Sequence, residues 1–205
     1  MLLEINPKNI DPRKIELVIK SLKKGNLIIF PTDSVYNIGC DLYNKKAIQE
    51  LAKFKGLKLN KTHFSIICSG LSDLSNYTKA IDRSTFKLLK HHLPGPFTFI
   101  LNATAEVQKI FDSNRKEIGI RIPDNEILKT ITEKLGNPLA TTSLHNEDDE
   151  ILDYFTDPNE IYQRYGHEVE IVIDGGFGHL NPTTVVDCTE GEAKVVRQGA
   201  GNLDT

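Results

Sequence analysis

Helical and strand patterns alternate along most of this chain of 205 residues. Between Asp11 and Gly25 the apolar residues recur every three or four positions, which predicts a helix with an aspartate cap and a glycine at its end. The apolar run over residues 27–30 is closed by Pro31 and predicts a short buried strand. Alternation of this kind favours an α/β fold, in which helices pack on a sheet.

The same two patterns predict the other elements of the fold. About seven strands are expected, and the last two, over residues 184–187 and 194–196, are close enough in sequence to form a hairpin. We therefore expect a twisted mixed sheet with helices packed on it, in a single domain over residues 1–205. Further helices are predicted over residues 44–55 and 82–92, after a cap at Asp124, and after Asp157-Pro158.

Charge and cysteine content exclude several classes of protein. The 25 basic and 28 acidic residues give a formal net charge of −3, which excludes nucleic-acid binding by bulk charge but leaves room for a local basic patch. No run approaches ~20 apolar residues, so no membrane span is expected, and Met1–Glu4 lacks the pattern of a signal peptide. The three cysteines are widely spaced, so we expect buried thiols in a reducing cytoplasm.

Other features indicate no metal site and no covalent mechanism. The acidic run from Asn146 to Glu150 is interpreted as a solvated loop, because no partner residues for a metal ion accompany it. No zinc-binding spacing and no serine or cysteine beside a base is present, so neither zinc nor a covalent nucleophile is expected. The sequence carries no clear signal for oligomerisation.

Hydroxyl groups follow several of the predicted strands. Thr32 and Ser34 come directly after the first buried strand, while Thr141, Ser143 and Thr183 lie at other strand ends. Ligands of open α/β sheets bind beyond strand ends, so these hydroxyls are well placed for a binding site. The alternative is a turn in which Asp33 and Ser34 bond to their own backbone, and this segment alone favours the turn.

Arg121 lies inside the apolar strand predicted over residues 118–122. If the three isoleucines of this strand face one side of the sheet, Gly119 and Arg121 face the other. Gly119 then leaves space above the sheet, and Arg121 places there a guanidinium that can grip a carboxylate through two parallel hydrogen bonds. A surface salt bridge on an exposed sheet face is the alternative, and the pattern does not decide between the two.

A basic stretch follows the helix predicted over residues 44–55. Phosphate binding is one interpretation of its charges, and a solvated helix end favoured by the helix dipole is the other. Its members are Lys53, Lys55, Lys58 and Lys61.

Six segments, in their order along the chain, resemble the YrdC/YciO family, whose catalytic members are threonylcarbamoyl-adenylate synthases. The resemblance covers the chain from about residue 10 to its end. The segments are Phe30–Tyr36, Leu93–Leu101, Gly119–Pro123, Thr141–Ser143, Thr183–Asp187 and Val196–Gly201.

The resemblance implies a twisted sheet with a deep, concave, basic face, and a nucleotidyltransferase reaction. L-Threonine, bicarbonate and ATP, with Mg²⁺ as the expected divalent ion, would give threonylcarbamoyl-AMP and pyrophosphate. That adenylate feeds the N6-threonylcarbamoyladenosine modification of transfer RNA. Family members are also described as binders of double-stranded RNA, so a non-catalytic module that binds double-stranded RNA or tRNA is the alternative function.

The resemblance also implies roles for individual residues. Lys55 and Arg121 correspond to the catalytic positions, Arg121 by holding the threonine carboxylate. The other threonine-binding positions are Thr32, Ser34, Thr141 and Thr183. The nucleotide-binding positions are Lys55, Ser143 and Arg197, with Lys58 and Lys61 as further sources of positive charge.

Four departures from the family pattern resemble the YciO branch more than the dedicated synthases. Leu57 stands where the family's second phosphate-binding cation, an arginine, belongs, and Lys58 replaces the proline that follows. Leu144-His145 replaces Ala-Asn, and Asn37 replaces a glycine of the first motif. Loss of one phosphate-binding arginine is expected to slow the reaction about 10²- to 10³-fold, by analogy with other electrostatic donors.

Overall fold

The computed structural model describes residues 1–144 and 155–204, so His145 and the acidic run from Asn146 to Glu150 lie outside the described residues. The ten strands of the described residues form one sheet. They are β1 (Leu2–Glu4), β2 (Ile28–Phe30), β3 (Asn37–Asp41), β4 (Ser65–Ile67), β5 (Phe97–Asn102), β6 (Glu117–Arg121), β7 (Leu139–Ser143), β8 (Ile171–Asp174), β9 (Thr184–Asp187) and β10 (Lys194–Arg197).

The sheet is mixed, as expected from the sequence. Its order is β1-β8-β2-β3-β7-β4-β6-β5-β9-β10. The pairs β1/β8, β2/β8, β4/β6 and β5/β9 are parallel, and the other neighbours are antiparallel. The hairpin predicted between the last two strands is confirmed, with a register shift between Val195 and Arg197.

The expected number of about seven strands is too low, and two of the strands that it omits, β1 and β3, have no clear pattern in the sequence. β1 has only three residues at the start of the chain. All five residues of β3 are buried, including Asn37 and Asp41, so the strand shows no alternation of polar and apolar residues. Burial of both faces of a strand removes the period of two on which strand prediction depends.

Seven α-helices are formed by the described residues, and short 3₁₀ turns span Leu59–Lys61 and Leu71–Asp73. The capping residues Asp11, Asn44, Asp82 and Asp157 each accept a hydrogen bond from a backbone N–H of the first turn. The helices are α1 (Pro12–Lys23), α2 (Lys45–Phe54), α3 (Leu74–Tyr77), α4 (Arg83–His92), α5 (Ala105–Ile110), α6 (Glu126–Leu135) and α7 (Pro158–Tyr165).

The cap predicted at Asp124 is wrong by one residue. Asn125 caps α6, because its Oδ1 accepts from the backbone N–H of Leu128 at 3.1 Å. The backbone N–H of Asp124 instead donates to Asp33 Oδ2 at 2.8 Å, which ties the start of α6 to the segment after β2. This long-range contact is absent from the local sequence pattern.

The helices cover the two faces of the sheet unequally. On one face, called here the core face, Ile66, Ile120 and other strand residues pack against residues of α2, α3, α4, α5 and α7. On the other face, α1 and α6 pack over β1, β2, β8 and one end of β4 and β7. No helix of these clusters covers the second face over the rest of the described sheet, and this part is called here the open face.

A matched pair of isoleucine substitutions tests this assignment. Ile120 is fully buried on the core face, whereas Ile100 of the adjacent strand is half-buried on the open face. We expect Ile120→Ala to lower the free energy of unfolding by ~2–5 kcal/mol, because it leaves a cavity in a packed core. Ile100→Ala should cost less than ~1.5 kcal/mol, since water already reaches that side chain.

Urea denaturation followed by circular dichroism measures both values. Equal losses for the two variants would show that the second face is packed over β5, contrary to this description.

Candidate active site

A cavity of about 290 Å³ lies on the open face of the sheet. Arg121 and Arg197 both line it, although they belong to β6 and to the edge strand β10. The resemblance places an amino acid at the first arginine and a nucleotide at the second, so a shared cavity is the arrangement that it requires. Ser34, Thr141, Ser143 and Thr183 also line this cavity.

Strand register explains why the floor of the cavity is polar and built from small side chains. Ser65 of β4 pairs with Gly119 of β6 and with Thr141 of β7, so these three small residues share one face. A Cβ added at Gly119 would lie 2.5 Å from Ser65 Oγ and 3.1 Å from Thr98 Cγ2. Gly119 therefore keeps open the space beside Arg121, as the strand pattern predicts.

Arg121 is buried, with 4% of its surface exposed. Its Nη2 donates to Ser34 Oγ at 3.1 Å and to Thr32 Oγ1 at 3.3 Å, and lies 3.5 Å from Asp33 Oδ1. The alternative of a surface salt bridge on an exposed sheet face is therefore wrong. Arg121 is a fixed cation in the cavity wall.

Asn37 lies on another side of the same guanidinium. In the amide orientation that satisfies its neighbours, its oxygen accepts from Arg121 Nη1 at 2.9 Å and its nitrogen donates to the carbonyls of Val35 and Tyr36 at 3.2 Å. Arg121 Nε is buried and has no hydrogen-bond partner among the described residues. A buried donor without a partner is costly, so the burial of this guanidinium is only partly compensated by its hydrogen bonds.

Burial also sets the protonation of this cluster. It lowers the pKa of Arg121 to about 10, an effect that Asp33 opposes and the positive charge of Arg197 reinforces. Burial raises the pKa of the Asp33 carboxyl above its usual value, although the nearby Arg121 works in the opposite direction. Arg121 therefore remains cationic at neutral pH, because a pKa near 10 is well above 7.

Thr32 supports the site from behind and does not line the cavity. Its hydroxyl donates to the Val35 carbonyl at 2.8 Å and accepts from the backbone N–H of Ser34 at 3.0 Å. The local turn considered for this segment is thus made by Thr32. Asp33 and Ser34 direct their side chains to Asp124 and Arg121 instead.

The other end of the site is organised around Thr183. Arg197 Nη2 donates to the Thr183 carbonyl at 2.9 Å, and the Thr183 hydroxyl lies 2.8 Å from that of Thr98. Thr183 is buried while Arg197 is exposed at the cavity edge. The carbonyl contact holds the guanidinium at the cavity without neutralising its charge.

The predicted lysines are placed unequally. Lys55, which follows α2, donates from Nζ to the Ser143 carbonyl at 3.3 Å and so lies beside a cavity residue. Lys58 and Lys61 are exposed on the following 3₁₀ turn and do not line the cavity. Leu57 is 41% exposed and is likewise absent from the lining.

The sequence does not predict several of the residues that line the cavity as site residues. Ser65 and Thr98 alternate with apolar residues of their strands, and that period of two is a signal that could have identified them. His63, Arg115 and Glu117 lie before strands or at a strand start, where no periodicity marks them. All five line the cavity together with Asn37.

The described side chains form no cluster of potential metal ligands, and the cysteine thiols are buried. Among residues 1–144 and 155–204, no group of three or more His, Cys, Asp and Glu side chains could hold a metal ion. The three cysteines are buried, and burial raises the pKa of each thiol, that of Cys188 to about 11. Such thiols carry little of the reactive thiolate at neutral pH.

In residues 1–144 and 155–204, every helix is too short or too polar to cross a membrane.

The fold and much of the sequence are shared with known proteins. The family model of the Sua5, YciO and YrdC proteins, described as telomere recombination, matches residues 20–199. The uncharacterized protein YciO of Escherichia coli (strain K12) is 37% identical over 200 residues, which are 97% of this chain and 95% of that protein. The crystal structure of E. coli YciO matches with a TM-score of 0.88 over 98% of this chain and 97% of that chain, at 36% identity.

Two further relatives are more distant. A threonylcarbamoyl-AMP synthase of Coxiella burnetii (strain RSA 493) is 26% identical over 181 residues, 88% of this chain and 95% of that protein. The crystal structure of P. abyssi Sua5 complexed with L-threonine has a TM-score of 0.83 over 97% of this chain and 57% of that chain, and at 23% identity it shows the shared fold alone. The higher identity to YciO confirms the expected position near that branch. This chain belongs to the Sua5/YciO/YrdC family.

Proposed function

We propose that this protein is a threonylcarbamoyl-AMP synthase that joins L-threonine, bicarbonate and ATP. The observation that carries the proposal is that one cavity is lined by a buried arginine, a second arginine at its edge, and several hydroxyl groups. The similarity to the threonylcarbamoyl-AMP synthase of C. burnetii supports both the reaction and threonine as the amino acid.

The threonine half of the proposal depends on Arg121. The guanidinium lines the cavity, and its planar N–H donors receive the threonine carboxylate. Ser34, Thr141 and Thr183 supply hydroxyls that can bond to the amine or side-chain hydroxyl of the amino acid. Since Asn37 and Thr32 already fix the guanidinium, little side-chain entropy is lost on binding.

The nucleotide half depends on Arg197, together with Lys55 and Ser143. Arg197 neutralises phosphate charge, and magnesium enters as part of the MgATP substrate. Because the described residues do not form a resident metal site, no step is assigned to a protein-bound metal.

The reaction then needs positioning rather than a covalent enzyme intermediate. The threonine amine and bicarbonate form a carbamate with loss of water. A carbamate oxygen attacks the α-phosphorus of ATP, the bond to the bridging oxygen breaks, and pyrophosphate leaves. Alignment of the two substrates and neutralisation of phosphate charge supply the rate acceleration.

Product analysis tests the proposal directly. Purified protein incubated with MgATP, bicarbonate and L-threonine should form threonylcarbamoyl-AMP and pyrophosphate, measured by mass spectrometry and a pyrophosphate assay. D-Threonine and omission of bicarbonate are the controls and should abolish the adenylate. Absence of a threonine-dependent product at high enzyme concentration would reject the proposal.

Arg121→Lys tests the carboxylate clamp. Lysine keeps the charge but loses the planar fork, so we expect threonine affinity to fall about 10- to 100-fold while ATP affinity changes less than about threefold. Isothermal titration calorimetry with each ligand measures this split, and a thermal melt controls for folding. Equal loss of both ligands would argue against a specific role in threonine binding.

Arg197→Gln should produce the opposite pattern. Removal of this edge cation should lower the affinities for ATP and for AMP by about 10-fold or more and leave the affinity for threonine within about twofold of wild type. Because Arg197 is exposed, the variant should fold normally. Unchanged nucleotide affinity in the same titrations would remove Arg197 from the proposed site.

Binding of double-stranded RNA or tRNA stays a prediction. The exposed Lys58 and Lys61 would serve it better than the cavity, since both lie outside the cavity lining.

A further inference from the structure

The cavity contains a third arginine to which neither the sequence motifs nor the proposed reaction gives a role. Arg115 lies two residues before β6 and lines the cavity with His63 and Glu117. Arg121 ends the same strand, six positions later. The two arginines therefore line the same cavity from positions before the start and at the end of β6.

Arg115 is held in place without an anionic partner. Its Nη1 donates to the Phe64 carbonyl at 3.1 Å and its Nη2 to the Thr62 carbonyl, while its Cζ lies 4.5 Å from the centre of the Phe111 ring. These bonds use two of the five N–H donors of a guanidinium. No carboxylate of the described residues forms an ion pair with it.

A half-buried, immobilised cation with spare donors is suited to an anionic ligand. Burial lowers the pKa of Arg115 to about 10, so the charge persists at neutral pH but is poorly solvated. Neutral carbonyls orient the group without cancelling its charge. A phosphate group would supply both the missing negative charge and acceptors for the remaining donors.

The exposed lysines of the turn after α2 do not line the cavity. Lys58 and Lys61 are exposed and absent from its lining, and Leu57 carries no charge. Arg197 belongs to the edge strand β10, which is separated from β6 by β5 and β9. Lys55 does not line the cavity itself, although its Nζ donates to the carbonyl of the lining residue Ser143. Arg115 is therefore the lining arginine that the proposed reaction leaves without a role.

We propose that Arg115 binds the terminal phosphates of the nucleotide, in place of the arginine whose position is taken by Leu57. The inference rests on the proposed function, since it assumes that ATP enters this cavity. Arg197 then contacts the phosphate nearest the nucleoside, and Arg115 stabilises the charge that develops on the departing pyrophosphate.

Comparison of ATP with AMP isolates the terminal phosphates. MgATP and AMP are titrated calorimetrically in the absence of threonine and bicarbonate. Arg115→Gln should lower the affinity for ATP about 10- to 100-fold and leave the affinity for AMP within about twofold of wild type. Arg197→Gln is the matched control, because it should weaken both nucleotides. If Arg115→Gln lowers the affinity for both nucleotides, or for neither, the inference is overturned and the proposed function still stands.

Glu117→Gln provides a second test that does not depend on the stability of an Arg115 variant. Glu117 is exposed and lines the same cavity as Arg115, so its charge should repel terminal phosphates. Removal of this charge should raise the affinity for ATP about 2- to 5-fold at low salt and leave the affinity for AMP unchanged. An unchanged ratio of ATP to AMP affinity would contradict the inference, whereas failure of the wild-type protein to bind either nucleotide would reject the proposed function itself.

Discussion

The arrangement of the site depends on one buried guanidinium. Arg121 ends a central strand of the sheet, where 4% of its surface remains exposed, and burial of a charge is costly unless hydrogen bonds compensate for it. Thr32 and Ser34 meet one of its nitrogens and Asn37 another. These contacts bring the segment after β2 and the start of β3 to the same wall. A carboxylate in the cavity would add to this compensation, because Arg121 lines the cavity.

The sheet makes this possible by leaving part of one face without helices. Helices α1 and α6 cover only one side of the second face, and small residues such as Gly119 and Ser65 form the floor beyond them. The cavity is therefore lined by arginines and by hydroxyl groups. Such a site can align an amino acid with a nucleotide without a nucleophile of its own. The chemistry proposed for it belongs to the substrates, and the protein contributes geometry and charge.

The sequence predicted those parts of the site that depend on local patterns. The period of two in β6 placed Arg121 and Gly119 on one face, and the hydroxyls of Ser34, Thr141 and Thr183 at strand ends do line the cavity. The roles of these residues in binding remain predictions.

Contacts between segments that are distant in the sequence cannot be predicted from local patterns. Arg115 is fixed by carbonyls 51 and 53 positions away, and no periodic pattern marks it. The sequence predicts Lys58 and Lys61 as nucleotide-binding residues because of their charge, but both lie outside the cavity lining. Local sequence reports the charge of a side chain, whereas its direction is set by the tertiary packing around it.

The most direct test of this account is a crystal structure of the protein with L-threonine and a non-hydrolysable ATP analogue. We expect the threonine carboxylate within about 3 Å of the Arg121 guanidinium, and the nucleotide phosphates in the same cavity on the side of Arg197. Threonine bound away from Arg121, or a nucleotide bound outside this cavity, would contradict the account.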